Sequence, residues 1–150
     1  MQRCRYNTSG FPEALAAVDA ADVVVLFLGA DQTTEAEGFD RHTLALVGAQ
    51  QQLLEQIIQA SKPTSTPVVL VLVNGGPIDV STAVESDQVV AILEAFQPGE
   101  LGADAMIDIL DGTSSPSGKM PYTTYFANYT ERYACALLCM MQATLVAARA

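Results

Sequence analysis

The amino-acid sequence predicts an α/β fold, a three-layer sandwich built on a mainly parallel, doubly wound sheet. Short apolar runs rich in valine and leucine alternate with segments of helical periodicity, which is the pattern of a parallel α/β domain. The runs at residues 23–29 and 68–74 are almost entirely apolar, as expected for strands covered on both faces. With 150 residues, the chain is long enough for one domain with a buried core.

The predicted elements follow one another in a regular order. Helices are predicted at residues 11–21, 50–61 and 100–110, and strands at residues 23–29, 68–74, 89–93 and 120–125. The buried faces of the second and third helices are expected to consist of apolar side chains at helical spacing: Leu53, Leu54, Ile57, Ile58, Ala103, Met106, Ile107 and Leu110. One domain is therefore expected at residues 1–126, followed by a tail at residues 127–150.

Charge and composition exclude several functions. The chain carries 17 acidic and 7 basic residues, a net charge of −10, which disfavours nucleic acid as a partner. Three cysteines and one histidine have no recognisable zinc-ligand spacing, so no metal site is expected. Residues 133–148 are uncharged, but 16 residues are fewer than the roughly 20 that span a bilayer. A helix packed on the domain, or a non-native end, is expected there instead of a membrane anchor.

The start of the chain and two short motifs bear on localisation. Polar and basic residues follow Met1 directly, so the chain is expected to carry no signal peptide. Asn7 and Asn128 each stand in a glycosylation sequon, which favours a secretory context.

The richest concentration of candidate chemistry is the loop after the first strand, residues 31–41 (DQTTEAEGFDR). Ligands of open parallel sheets bind beyond the carboxyl ends of the strands, which is where this loop is expected. Glycosidic cleavage needs one carboxylic acid to protonate the leaving oxygen and a second carboxylate as nucleophile or base. Glu35 and Glu37 are the candidates, and Asp40 is expected to pair with a neighbour such as Arg41. From spacing alone, a solvated acidic loop without catalytic function is the more frequent outcome.

Six segments in a fixed order resemble the second, C-terminal domain of glycoside hydrolase family 3. They are residues 21–25 (ADVVV), 35–41 (EAEGFDR), 44–50 (LALVGAQ), 74–80 (NGGPIDV), 98–102 (PGELG) and 116–121 (PSGKMP). Each segment is a weak signal, but their order over about a hundred residues is specific. The uninterrupted Glu-Ala-Glu-Gly-x-Asp-Arg form is most similar to the β-xylosidase and arabinofuranosidase branch.

This resemblance implies a role for individual residues. The general acid/base of the family maps onto Glu37, with Glu35 as the second candidate, and Arg41 and His42 are weaker candidates for contact with the sugar. In the family the nucleophile comes from an N-terminal (β/α)₈ barrel, which this chain lacks. The resemblance therefore implies part of a retaining, β-xylosidase-like enzyme, secreted or in the cell wall, that acts on a β-linked xyloside, arabinoside or glucoside without a cofactor. The isolated chain is expected to be inactive.

Two other classes of function remain open at this point. Because the barrel is missing, the chain could be a non-catalytic carbohydrate-binding or interaction module. The alternating pattern alone would also fit a flavodoxin-like ligand-binding domain. Residues 112–119 (GTSSPSGK) do not support nucleotide binding, because they have the wrong glycine spacing and follow a helix instead of a strand.

Overall fold

The computed structural model describes residues 6–130, which form three parallel strands and four helices. In chain order the elements are α1 (Phe11–Asp19), β1 (Val24–Gly29), α2 (Gln50–Ser61), β2 (Val68–Val73), α3 (Ser81–Val84), β3 (Val89–Glu94) and α4 (Gly102–Leu110). The strands lie in the order β1-β2-β3 and are all parallel. The α/β class with a parallel sheet is therefore confirmed.

The core lies on the face of the sheet that α1 and α2 cover. Leu70 and Leu72 of β2 are fully buried there, together with Leu54 and Ile58 of α2. Val18 of α1 packs in a second cluster with Ile57 and Val68. The buried face predicted for α2 is confirmed at Leu54, Ile57 and Ile58, and Leu53 is half-buried against the same clusters.

The opposite face of the sheet is apolar; within residues 6–130 it is buried at Val71 in its centre but poorly covered along β1 and β3. The strand register places Val25, Val69 and Ala91 side by side on it, followed by Phe27, Val71 and Leu93. Val25 is 40% exposed and Phe27 is 53% exposed, and Ala91 is also exposed. We call this surface, made by Val25, Phe27 and Ala91, the open sheet face.

Two predictions about the C-terminal half were wrong. Residues 120–125 do not form a strand. Pro121 has no N–H to donate to a sheet, and Tyr122 instead packs edge-on against Phe96, with ring centroids 5.9 Å apart. The apolar stripe predicted for α4 is largely exposed within residues 6–130: Met106 is half-buried, but Ile107 is 57% exposed, and Ala103 and Leu110 are exposed too.

The sheet brings the loops that follow the three strands to one edge, its carboxyl edge. Ala30 donates a hydrogen bond to the Val73 carbonyl, and Asn74 donates one to the Phe96 carbonyl. Gly29 at the end of β1 has no space for a side chain, since a Cβ there would collide with the Val73 backbone. This close packing fixes where the acidic loop leaves the sheet.

Candidate functional site

The acidic loop begins with a tight turn at residues 31–35. One carboxylate oxygen of Asp31 accepts hydrogen bonds from the Thr33 amide at 3.0 Å and from the Thr34 hydroxyl at 3.0 Å. The Asp31 carbonyl also accepts the Glu35 amide at 3.1 Å. Asp31 therefore shapes the loop locally, as aspartate commonly does at the start of a turn.

Glu37 lies at the tip of a two-residue hairpin. Ala36 and Phe39 exchange both of their backbone hydrogen bonds, each 2.9 Å long, so that Glu37 and Gly38 form the turn between them. Gly38 has φ +75°, a conformation that favours glycine at this position of a turn. Glu37 is exposed, and within residues 6–130 its carboxylate has neither a hydrogen-bond partner nor an ion-pair partner.

Glu35, two residues earlier, has partners at both of its carboxylate oxygens. Its Oε1 accepts hydrogen bonds from the Gly75 amide at 2.8 Å and from the Gly76 amide at 3.0 Å. Its Oε2 forms an ion pair with Nε of Arg41 at 2.8 Å. The sequence suggested Asp40 as the partner of Arg41, but the fold pairs Arg41 with Glu35 and leaves Asp40 exposed.

These contacts set the protonation state of Glu35. Burial by itself raises the pKa of the Glu35 carboxyl. The two glycine amides and the guanidinium of Arg41 stabilise the charged form more strongly, so the pKa lies below its usual value. Glu35 is therefore a carboxylate that holds its charge, next to Glu37, which is exposed to solvent.

The loop is also tied to the rest of the domain at its far end. The side-chain amide of Gln50, the first residue of α2, donates to the Gly29 carbonyl and accepts from the Gly29 amide, both at 2.8 Å. These bonds pair both backbone groups of Gly29, at the end of β1, on the side of the strand that faces away from β2. The Leu44 carbonyl accepts the Asp79 amide at 2.7 Å, which attaches the loop to the segment after β2. The loop between β1 and α2 is therefore anchored to two elements of the sheet.

A second polar group, which was not predicted from the sequence, lies at the carboxyl edge and is made by Asn74, Glu94 and Tyr122. Asn74 is fully buried and donates from Nδ2 to the Gly76 carbonyl at 2.8 Å and to the Glu94 carboxylate at 3.5 Å. Burial raises the pKa of Glu94 despite its hydrogen bonds. Burial also raises the pKa of the Tyr122 hydroxyl, and the negative charges of Glu94 and Glu35 raise it further. Asn74 and Glu94 each end or follow a strand, which is the signal that could have identified them.

The other predicted site residues do not join this cluster. His42 is exposed, and within residues 6–130 it has no side-chain hydrogen bond or ion pair. Asn7 and Asn128, the sequon asparagines, are both exposed. Among the described residues, no three His, Cys, Asp or Glu side chains are grouped so that they could hold a metal ion.

The tail predicted at residues 127–150 lies largely outside the described residues, and its uncharged stretch at residues 133–148 lies wholly outside them. Where the structure describes the chain, none of its helices has the length and apolar character needed to cross a membrane. The first residues of the tail are attached to the domain, because the Ala127 amide donates to the Asp79 carboxylate at 2.6 Å.

Comparison with known proteins identifies relatives with this sequence and fold. The chain is 42% identical over 137 residues to beta-D-xylosidase 1 of Arabidopsis thaliana, a match that covers 91% of this chain and 17% of the relative. It is 40% identical over 113 residues to a beta-xylosidase/alpha-L-arabinofuranosidase of Medicago sativa, covering 75% of this chain and 14% of the relative. The chain thus spans about a sixth of the length of these relatives.

Solved structures with a similar fold are also those of glycosidases. A family 3 exo-beta-xylosidase in complex with a xylobiose aziridine probe superposes with a TM-score of 0.77 at 35% identity, over 84% of this chain and 16% of that structure. A beta-glucosidase of Bifidobacterium adolescentis superposes with a TM-score of 0.65 at 36% identity, over 75% and 16% of the two chains. The model of the "Glycosyl hydrolase family 3 C-terminal domain" matches residues 3–137. This chain therefore belongs to glycoside hydrolase family 3, and it corresponds to the family's C-terminal domain.

Proposed function

We propose that this chain is the part of a retaining, β-xylosidase-like glycosidase that supplies the general acid/base, and that Glu37 is that residue. The observation that carries the proposal is the position of Glu37 at the tip of the 36–39 hairpin, with an exposed carboxylate free of partners within residues 6–130. A general acid has to reach the glycosidic oxygen and exchange its proton with it, and a carboxyl group that projects from the loop without other partners suits this role.

Glu35 is less suited to this role. A general acid must carry a proton near the working pH, whereas the contacts of Glu35 lower its pKa. Both of its oxygens are already occupied by amide and guanidinium donors. Protonating Glu35 would weaken these hydrogen bonds, so the carboxyl group favours its charged form.

The reaction needs a second carboxylate, which we assign to a barrel domain outside this chain. In the first step, that carboxylate attacks the anomeric carbon while Glu37 donates its proton to the departing oxygen. In the second step, Glu37 removes a proton from water, and the resulting hydroxide displaces the barrel carboxylate from the sugar. Two carboxyl groups suffice for both steps. The proposed substrate is a β-linked xyloside, since the relatives from Arabidopsis and Medicago are described as xylosidases.

A hybrid enzyme tests this assignment. In it, the matching 137 residues of the Arabidopsis xylosidase are replaced by those of this chain. Glu37→Ala should lower kcat/KM about 100-fold or more for xylosides with poor leaving groups, because general acid catalysis contributes about 10²–10⁴-fold. Activated aryl xylosides, whose leaving groups need no proton, should keep most of their kcat/KM.

The control is Glu13→Ala, which removes an exposed carboxylate from α1, a helix that does not contribute to the loop. It should leave both substrates unaffected. Equal losses on poor and activated leaving groups in Glu37→Ala would show that Glu37 is not the acid.

A second candidate function is a non-catalytic carbohydrate-binding or interaction module. It is favoured by the fact that the chain spans about a sixth of its relatives, so that the proposed nucleophile lies outside it. The purified chain should then bind xylo-oligosaccharides without cleaving them. Turnover of an aryl β-xyloside by the purified chain alone would rule this function out.

Secretion is part of the same proposal, and the two sequons make it testable. Asn7 and Asn128 are exposed, so an oligosaccharyltransferase could reach both of them. Expression through a eukaryotic secretory pathway should give a product whose mass falls on treatment with peptide-N-glycosidase. The double variant Asn7→Gln/Asn128→Gln should show no such change, and an untreated wild-type product of unmodified mass would contradict the expectation.

A further inference from the structure

The hairpin that carries Glu37 is too short to fix its own direction. Among the residues that the structure describes, only the Ala36–Phe39 pair holds it together, and Ala36, Gly38 and Phe39 are all exposed. A hairpin of this size is not stable by itself and could swing about its base. The direction in which Glu37 points must therefore be set by the residues on either side of the hairpin.

Glu35 and Arg41 occupy these positions, one before the hairpin and one after it. Their ion pair closes the base of the loop, and both side chains are largely buried, with 18% of Glu35 and 9% of Arg41 exposed. Arg41 also donates from Nη2 to the Pro77 carbonyl at 2.7 Å. Both sides of the hairpin base are thus attached to the segment that follows β2.

The Gly75-Gly76 turn is shaped to receive the Glu35 carboxylate. Both amides point at the same oxygen, and two convergent backbone N–H groups form a site for a negative charge. A Cβ on Gly75 would lie 3.1 Å from one carboxylate oxygen, and a Cβ on Gly76 would lie 3.1 Å from the other. Glycine at both positions lets the carboxylate approach the backbone this closely. The contact joins segments about 40 residues apart, so it fixes the loop to the rigid sheet.

We propose that Glu35 is a positioning residue, which through Arg41 and the Gly75-Gly76 turn fixes the direction of Glu37 toward the glycosidic oxygen. This inference rests on the proposed function of Glu37. Glu35 itself does not touch the substrate. Its loss acts on the proton transfer because a displacement of about 1 Å at a reacting group can cost about 100-fold in rate.

The test uses the hybrid xylosidase and compares two leaving groups. Glu35→Ala should lower kcat/KM about 10- to 100-fold on xylosides with poor leaving groups, with little change on activated aryl xylosides. Glu35→Gln retains an oxygen for the two glycine amides and should recover part of this loss. A residue with a purely structural role would reduce the amount of active enzyme and so affect both substrates equally.

Arg41→Lys provides a second route if the Glu35 variants fail to fold. It keeps the positive charge but cannot present Nε and Nη2 together, so it should show the same dependence on the leaving group. Glu13→Ala again serves as the control for the loss of a carboxylate.

The outcomes separate the two proposals. If Glu37→Ala discriminates between leaving groups while Glu35→Ala, Glu35→Gln and Arg41→Lys behave like the parent enzyme, the positioning role is wrong and the acid assignment stands. If the Glu35 and Arg41 variants lose activity equally on both substrates, their role is structural only. If Glu37→Ala fails to discriminate, the proposed function is wrong and the positioning role falls with it.

Discussion

At the scale of single residues, two glutamates of one short loop have opposite surroundings. Glu35 is enclosed by two backbone amides and a guanidinium, whereas Glu37 projects into solvent from a turn. Both side chains are glutamates, so the difference between them comes from their surroundings alone. Despite its burial, Glu35 has a pKa below its usual value because two backbone amides and a guanidinium stabilise its charged form, whereas the carboxylate of Glu37 is exposed and has no such partner within residues 6–130.

The surroundings of Glu35 predict how the stability of the chain depends on pH. Because the pKa of Glu35 in the folded state lies below its usual value of 4.5, the charged form stabilises the fold above that pH. This stabilisation should be lost as the pH falls below 4.5 and through the folded-state pKa. Glu35→Gln cannot titrate, so the free energy of unfolding should differ most between wild type and variant near neutral pH and least in acid.

Urea denaturation of both proteins between pH 7 and pH 3 measures this difference. Asp79 and Asp111 also have lowered pKa values, but they titrate in both proteins and cancel in the comparison. A difference that stays constant over the whole range would contradict the assigned contacts of Glu35.

At the scale of elements, the bounds of α2 and of the three strands were predicted best. The bounds of α2 were predicted correctly at both ends, and those of β1, β2 and β3 to within one residue. Among the strands, the apolar pattern matches burial only in β2, which is central and has four of its six residues buried; within residues 6–130, β1 has one buried residue and β3 has none. The four-residue helix α3 was missed, because it is too short to show a periodic pattern.

Prediction failed where an apolar pattern has no surface to pack against. The stripe of α4 has helical spacing, and the helix forms, but within residues 6–130 this stripe remains largely exposed. Residues 120–125 have strand-like composition, yet they pair with none of the described strands. The local sequence pattern therefore predicts whether a segment forms a helix or a strand. The burial of that element depends on which other parts of the chain pack against it.

The central position of β2 predicts a large effect from a core substitution. Leu70→Ala removes a fully buried side chain from the main cluster and should lower the free energy of unfolding by about 2–5 kcal/mol. Val90→Ala in β3 serves as the control, because Val90 is 62% exposed and its truncation should change stability by no more than about 0.5 kcal/mol. Chemical denaturation of the two variants checks this. Equal losses would show that β2 is not the centre of the core.

At the scale of the whole molecule, the described residues 6–130 leave apolar surface uncovered. The open sheet face and the stripe of α4 belong to a chain that matches about a sixth of its relatives' length. Exposed apolar surface on a sheet promotes association when nothing covers it. The isolated chain should therefore be less soluble than its net charge of −10 suggests.

Two adjacent residues of β1 test this expectation. Phe27→Thr replaces a side chain of the open sheet face that is 53% exposed, so it should reduce aggregation while changing the free energy of unfolding little. Leu28→Thr replaces a buried neighbour, 7% exposed, and should destabilise the fold without improving solubility. Light scattering and denaturation curves measure the two effects. Greater loss of stability in Phe27→Thr than in Leu28→Thr would contradict the assignment of the two faces.

The sequence by itself determined the fold class, the main elements, the family and the loop in which the carboxylates lie. These properties depend on local information, namely apolar periodicity, turn residues and short motifs in a fixed order. The same information named Glu35 and Glu37 together and left the choice between them to the family resemblance.

Only the tertiary structure decided how these residues differ. The amides that bind Glu35 lie about 40 residues further along the chain, at the end of a neighbouring strand, and no spacing within the loop could reveal them. The fold likewise joined Arg41 to Glu35 instead of the adjacent Asp40. The physical reason is that a carboxyl group's charge and direction are set by neighbours in space, and the pairing of parallel strands chooses those neighbours.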